Sequence, residues 1–533
     1  MSSVEAFKLV LLSLIAIIVL ELAAKRLRLP PAAALLVGGA AMAFVPGLPP
    51  VTLDPDLVLV VFLPPLLMDG AYFFVWDDFK RNLSGILLLA VGAVAFTTFV
   101  VGYITHLVVP GLPWAACFAL GAIVSPPDAV AAKAVLARVA LPRRLMALLE
   151  GESLLNDAAG LVLFRFAITA ALTGAFSFGK ATLTFGALAL GGVAVGLAIG
   201  WLVVRLLRAL DDEYLVITAS VLAGWIAYIG GEMAGVSGVL ATVTCGMMLG
   251  WHQHEIFSAS VRMRGTAFWQ VVVFLLEALV FVLIGLSLRG VVVRLGGFGD
   301  VLDAYGPAVA AIVGAVVLSR FVWVFSAVGL RSMFERLVRR RSAGPVEPTG
   351  GWRAATVVSW AGMRGVVTLA IALSLPETIP GRDLALVAAF AVILVTVLLQ
   401  GTTIGPLIAA IRLTRDDVRA AHHLTEIQAW ARLEAAQLAA IEPLVRAPDG
   451  TLIHPRLFEQ YSYRAQITAR IQQEESFPVG ARAAHYDVIL AAVAAGRAEL
   501  LRLHRSGQLH DELLHELEHD LDLQEIGARH SRG

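Results

Sequence analysis

Apolar runs of about 17 to 25 residues, separated by short polar connections, fill the chain from Glu5 to Ile411. Wound as a helix that rises about 1.5 Å per residue, such a run crosses the hydrocarbon of a bilayer. The pattern predicts an all-α polytopic membrane protein with about 13 transmembrane helices, over 5–25, 31–48, 56–75, 83–109, 114–137, 143–172, 179–208, 213–230, 235–251, 267–288, 305–328, 353–375 and 383–411. The connections alternate in kind. Lys25/Arg26/Arg28, Lys80/Arg81, Arg138/Arg143/Arg144, Arg205/Arg208, Arg262/Arg264 and the run Arg331, Arg336, Arg339, Arg340, Arg341 fall in every second one, and the others are almost free of basic residues. Basic connections stay on the cytoplasmic side, which puts the N-terminus outside, the C-terminal tail inside, and requires an odd number of spans. The first run is followed by Lys25 and Arg26 instead of a small-residue cleavage site, so it reads as a retained span.

The pattern changes near Arg412. Beyond it, charged segments rich in Ala, Leu and Glu carry helical spacing, as in Leu509, Leu513, Leu517 and Leu521. Two domains follow: a transmembrane domain over 1–411 and a helical cytoplasmic domain over 412–533. Pro345, Pro348, Gly350 and Gly351 mark a flexible loop before the twelfth span.

Composition sharpens the picture. Of 533 residues, 58% are hydrophobic and 15% charged, too apolar for a soluble protein. The net charge of zero hides two regions, because the tail holds about 14 Lys/Arg against 18 Asp/Glu and the membrane part carries the compensating positive excess. Cys117 and Cys245 lie in apolar runs without a C-x-x-C partner, so neither a disulfide framework nor a thiolate metal site is expected.

A charge in hydrocarbon costs about 2.5–3.5 kcal/mol even on the lenient insertion scale, so intramembrane ionisable residues mark candidate sites. Those singled out are Asp69, Asp128, Glu152, Asp157, Arg165, Glu232, Glu277, Arg320 and Arg364. Three fall in a dense pattern, Ser125-Pro126-Pro127-Asp128 in span five and Gly151-Glu152-Ser153-Leu154-Leu155-Asn156-Asp157 in span six. Two consecutive prolines remove two N–H donors and clash with the preceding turn, so span five should break there. Span twelve is loosened by Gly362 and Gly365 around Arg364. If spans 1–6 and 8–13 are inverted repeats, five and twelve correspond, and paired interrupted helices are the sequence pointer to a secondary-transporter binding site. Ser153 and Asp157, four apart, share one helical face, as do Glu152 and Asn156 a quarter turn away, so one face binds while the other braces. A carboxylate, a hydroxyl and freed carbonyls suit a hard cation; without His or Cys they do not make a transition-metal cage.

At these residues the sequence resembles the NhaP-type branch of the monovalent cation:proton antiporter-1 family, related to sodium/proton exchangers. The resemblance covers about residues 5–410 and rests on six motifs in order: Leu63-Pro64-Pro65-Leu66-Leu67 before Asp69, Ser125-Pro126-Pro127-Asp128, Glu152-Ser153-Leu154-Leu155-Asn156-Asp157, Val236-Ser237-Gly238-Val239-Leu240-Ala241, Phe281-Val282-Leu283-Ile284-Gly285 and the Arg364 segment. It implies an inverted-repeat fold with crossed, discontinuous helices in spans five and twelve, a homodimer in a bacterial inner membrane, and electroneutral exchange of a monovalent cation, Na+ foremost, for H+. The ion and proton site falls on Asp157, with Ser153 and Asp128 beside it and Asn156 as the neutral member of the Asn-Asp pair. The positions of Glu152 and Arg364 imply a buried ion pair between spans six and twelve that braces the fold. Asp69 stands where the family often has Glu, and Glu277 where Asn is usual, which leaves coordination by Asp69 open.

Other functions fit less well. His515-Glu516-Leu517-Glu518-His519 matches the H-E-x-x-H pattern of zinc proteases, but it sits among Asp511, Glu512, Asp520 and Asp522 on what reads as a solvated helix face. Nine of the twelve histidines lie in the tail, compatible with pH sensing or with an ordinary charged surface. No G-x-x-x-x-G-K-[ST] run supports ATP-driven pumping, and no repeated filter supports a channel. A K+/H+ antiporter of the same fold is the alternative substrate reading. Neither a cofactor nor a nucleic-acid partner is expected.

Overall fold

The computed structural model describes residues 3–27, 29–46, 54–128, 141–174, 178–339, 351–411, 426–474, 479–506 and 511–532. They form two compact units, Met1–Asp416 and Asp417–Gly533. In the first unit the helices run α1 (Ser3–Leu27), α2 (Pro31–Ala43), α3 (Pro55–Tyr72), α4 (Trp76–Val108), α5 (Trp114–Val124), α6 (Arg143–Thr173) and α7 (Phe178–Leu207). They continue as α8 (Glu213–Met233), α9 (Gly238–Ile256), α10 (Ala259–Arg294), α11 (Phe298–Arg339), α12 (Trp352–Trp360), α13 (Val366–Leu373) and α14 (Arg382–Ile411). Among the described residues nine of these are long and apolar enough to cross a membrane. The other expected spans correspond to α2, α5, α9 and the α12–α13 pair. Hydropathy therefore agrees with nine long apolar helices, while α2 and α5 are short and the α12–α13 pair is interrupted among the described residues.

Local chemistry explains where the helices begin. The Asp54 carboxylate accepts the N–H groups of Asp56 and Leu57 at 3.0 and 3.3 Å, and Pro55 takes the first helical position, where no N–H is needed. Asp212, Ser237 and Ser258 cap α8, α9 and α10 in the same way. At the far end of α6, Gly174 adopts a left-handed φ of 69° and closes the helix. With no water to drive association, membrane helices pack through close backbone approach. A β carbon on Gly285 would lie 2.4 Å from the Leu36 carbonyl, which is how near α10 comes to α2.

Two Pro-Pro pairs behave differently. Pro64 and Pro65 stay inside an unbroken α3, buried, whereas α5 stops at Val124, just before Pro126-Pro127. Two helices also widen for one turn to π geometry, α4 over Leu88–Ala93 and α14 over Thr396–Gln400. Trp323 of α11 donates its indole N–H to the Leu88 carbonyl at 3.1 Å, supplying a partner at the first of these turns.

The second unit contains α15 (Glu426–Ile441), α16 (Pro455–Glu474), α17 (Val479–Arg505) and α18 (Asp511–Arg532). Arg497 of α17 bridges Asp522 and Glu525 of α18 at 2.7 and 2.6 Å. Leu513 and Leu517 of the expected leucine stripe are exposed, Leu521 packs toward Gly496, and Leu509 lies outside the described residues.

Candidate functional site

After Val124 the chain leaves the helix, and Ser125–Asp128 is irregular. Residues 129–137 of that expected span lie outside the described residues. The Pro126 ring sits against Gly160 of α6, where a β carbon would come within 2.2 Å of its Cγ. Carbonyls freed by the break find side-chain donors, as irregular backbone at this depth requires. Arg364 donates its Nε–H to the Val124 carbonyl at 2.7 Å, and Asn156 donates its amide Nδ2 to the Pro127 carbonyl.

The second break is between α12 and α13, at Ala361–Gly365. The two breaks are hydrogen-bonded to each other. Asp128 donates its backbone N–H to the Met363 carbonyl at 2.7 Å, and its carboxylate Oδ2 accepts the N–H of Val366, the first residue of α13, at 3.3 Å. Arg364 donates its own N–H to the Thr396 hydroxyl at 3.0 Å, at the start of the wide turn in α14. Its guanidinium, 1% exposed, also reaches the Gly362 carbonyl.

Glu152 of α6 corrects one expectation. It pairs with Arg320 of α11, not with Arg364, through bonds of 2.6 and 2.8 Å between the two guanidinium nitrogens and the two carboxylate oxygens. The physical reason is that Arg364 is committed to carbonyls that both breaks leave open. Gly362, lacking a β carbon, lets the Arg320 side chain pass at a distance where such an atom would be 2.4 Å from its Cδ. Arg320 then completes its bonds on the Val358 carbonyl at 3.1 Å. From the sequence alone Arg320 is an intramembrane charge with no assigned partner. Arg165, two turns beyond Asp157, is taken by Glu232 of α8 at 3.1 Å.

The remaining residues fall as follows. Asp157 is 9% exposed on α6, with the Asp128 carboxylate within electrostatic reach. Asn156 is fully buried and Ser153 half-buried on the same helix. Asp69 is half-buried on α3, whose Leu63 and Leu67 pack with Leu154 and Ala158 of α6. Glu277 is half-buried on α10. In the tail, the side chains of His515 and Glu516 lie outside the described residues; among those described, no group of three metal-ligating side chains occurs. Two carboxylates, hydroxyls and carbonyls around broken helices form an oxygen-rich environment suited to a hard, weakly charged cation.

Comparison with known proteins agrees in kind. Residues 10–410 match the transmembrane sodium/hydrogen exchanger family. A Bacillus pumilus protein named as a sodium, potassium, lithium and rubidium/H+ antiporter is 35% identical over 369 residues, covering 66% of this chain; the match spans about half, 53%, of that relative's length. A Mycobacterium tuberculosis protein named as an uncharacterized Na+/H+ exchanger is 30% identical over 531 residues, covering 96% of this chain and 94% of its own. The sodium proton antiporter MjNhaP1 of Methanocaldococcus jannaschii shares the fold, with a TM-score of 0.59 at 21% identity over 76% of this chain and 98% of that one. The chain belongs to the sodium/hydrogen exchanger family, in its NhaP-type branch, a family of membrane transporters and not of enzymes.

Proposed function

We propose that the protein is a secondary antiporter that exchanges one monovalent cation, Na+ foremost, for one proton, with Asp157 as the shared carrier. The observation that carries this reading is a contrast between two buried carboxylates on α6. Glu152 is answered by Arg320, whereas Asp157 is paired with no Arg or Lys among the described residues. A carboxylate in that position is relieved by a proton or by a cation from solution. Burial favours the neutral form of a carboxyl and a bound cation favours the charged form, so the two compete for one group. Asp128 and Ser153 supply further oxygens, Asn156 holds the break in place, and Asp69 is a further candidate oxygen ligand. Alternating exposure of that site to the two sides of the membrane turns competition into exchange, driven by the coupled gradients. One carboxylate carries one charge, so the cycle moves none across the membrane. The setting proposed is a bacterial inner membrane, as a homodimer, with the N-terminus periplasmic and the tail cytoplasmic.

The experiment is cation-dependent dequenching of a pH-sensitive dye in proteoliposomes holding the purified full chain. Na+ should release the quench; silence toward every alkali cation at every pH would reject antiport. A second reading, a wider range including K+, is favoured by the likeness to the Bacillus pumilus protein, which is named as a sodium, potassium, lithium and rubidium/H+ antiporter. All alkali cations accept oxygen donors, so the same assay scanned over K+, Li+ and Rb+ decides between the readings.

A further inference from the structure

We infer that Gly365 is a positioning residue for the cation site, because the space its missing β carbon leaves is the space the Asp128 carboxylate occupies. A β carbon on Gly365 would lie 1.6 Å from Oδ2 of Asp128, 2.5 Å from its Cγ and 2.9 Å from its Cβ. No rotation of the carboxylate removes the last approach, and the Asp128 backbone is held by its N–H bond to Met363 at 2.7 Å. A side chain at 365 therefore turns the Asp128 carboxylate out and breaks its bond to the Val366 N–H. The φ of Gly365 is −150°, outside the left-handed region. At this position the two broken segments come close together at Asp128. The placement of one proposed ligand in span five is thereby set by a residue of span twelve that bears no ligand atom of its own.

This inference rests on the reading of Asp128 as part of the ion site, and the experiment separates the two. Gly365→Ala, Asp128→Ala and the double variant are made in the full chain, purified, and assayed for half-maximal Na+ in proteoliposomes and for melting temperature without Na+. Gly365→Ala should raise half-maximal Na+ about tenfold or more, the scale of loss that ångström misplacement produces, and should lower the melting temperature. In the Asp128→Ala background the same glycine substitution should lower the melting temperature less than it does in the wild type, because the 1.6 and 2.5 Å approaches to Oδ2 and Cγ are gone and only the 2.9 Å approach to Cβ remains. If Gly365→Ala alone fails to fold while the double variant folds, the steric link stands. A double variant that loses as much as the two singles combined, or a folded Gly365→Ala with unchanged half-maximal Na+ beside an impaired Asp128→Ala, overturns it. Unchanged half-maximal Na+ in Asp128→Ala removes Asp128 from the ion site and Gly365's role in affinity with it.

Discussion

The carboxylate of Glu152 and the guanidinium of Arg320 face each other through two bonds of 2.6 and 2.8 Å, and side chains no more than 4% exposed leave the pair dry. Arg320→Ala strands a buried carboxylate at a cost of about 3–5 kcal/mol. Its melting temperature in detergent should fall further than that of Arg364→Ala, which leaves the pair intact. Replacing both partners, as Glu152→Gln with Arg320→Met, should recover part of the loss. An unchanged melting temperature in Arg320→Ala would overturn the pairing.

Asn156 supplies the donor that holds the Pro127 carbonyl, while its own Oδ1 has no partner among the described residues. Asn156→Ala should cost about 1–3 kcal/mol, the price of a buried acceptor left unmet. Asn156→Asp should not restore stability near neutral pH, since an ionised carboxylate donates nothing to a carbonyl. Equal melting temperatures for wild type and both variants would show that the bond is dispensable.

Asp157→Asn keeps the shape of the side chain and removes its charge. Exchange should be abolished while the melting temperature stays near that of the wild type. In the wild type, clamping the membrane potential at either sign should leave the rate unchanged. Substantial exchange by Asp157→Asn, or a voltage-dependent rate, would require another titrating group, with Asp128 first to be examined.

Truncation after Arg412 removes the second compact unit and none of the proposed site residues. Exchange should persist with a shifted pH profile or altered rate. A correctly inserted truncation devoid of transport would show that the tail is needed for the cycle itself.

Much of the candidate site was legible because charge in hydrocarbon is rare. Asp128, Glu152, Asp157 and Arg364 stood out by being ionisable inside apolar runs, and the Pro126-Pro127 and Gly362–Gly365 interruptions were visible as chain chemistry. Membrane segments were legible for a related reason, since bilayer thickness sets the length of an apolar run.

Tertiary structure alone decided what each of these features does. Pro64-Pro65 and Pro126-Pro127 are the same dipeptide, yet one lies within a helix and the other follows a helix end. In span five the freed carbonyls are met by Asn156, 29 residues along the chain in the next span, and by Arg364, 240 residues from the carbonyl it meets. Glu152 faced two buried arginines, and a glycine at 362 together with the carbonyls near Arg364 settled which one it paired with. Hydropathy and local spacing report the cost of putting a polar group in lipid. Which partner offsets that cost depends on distances of a few ångströms between segments 29 to 240 residues apart, which exist only once the helices have packed.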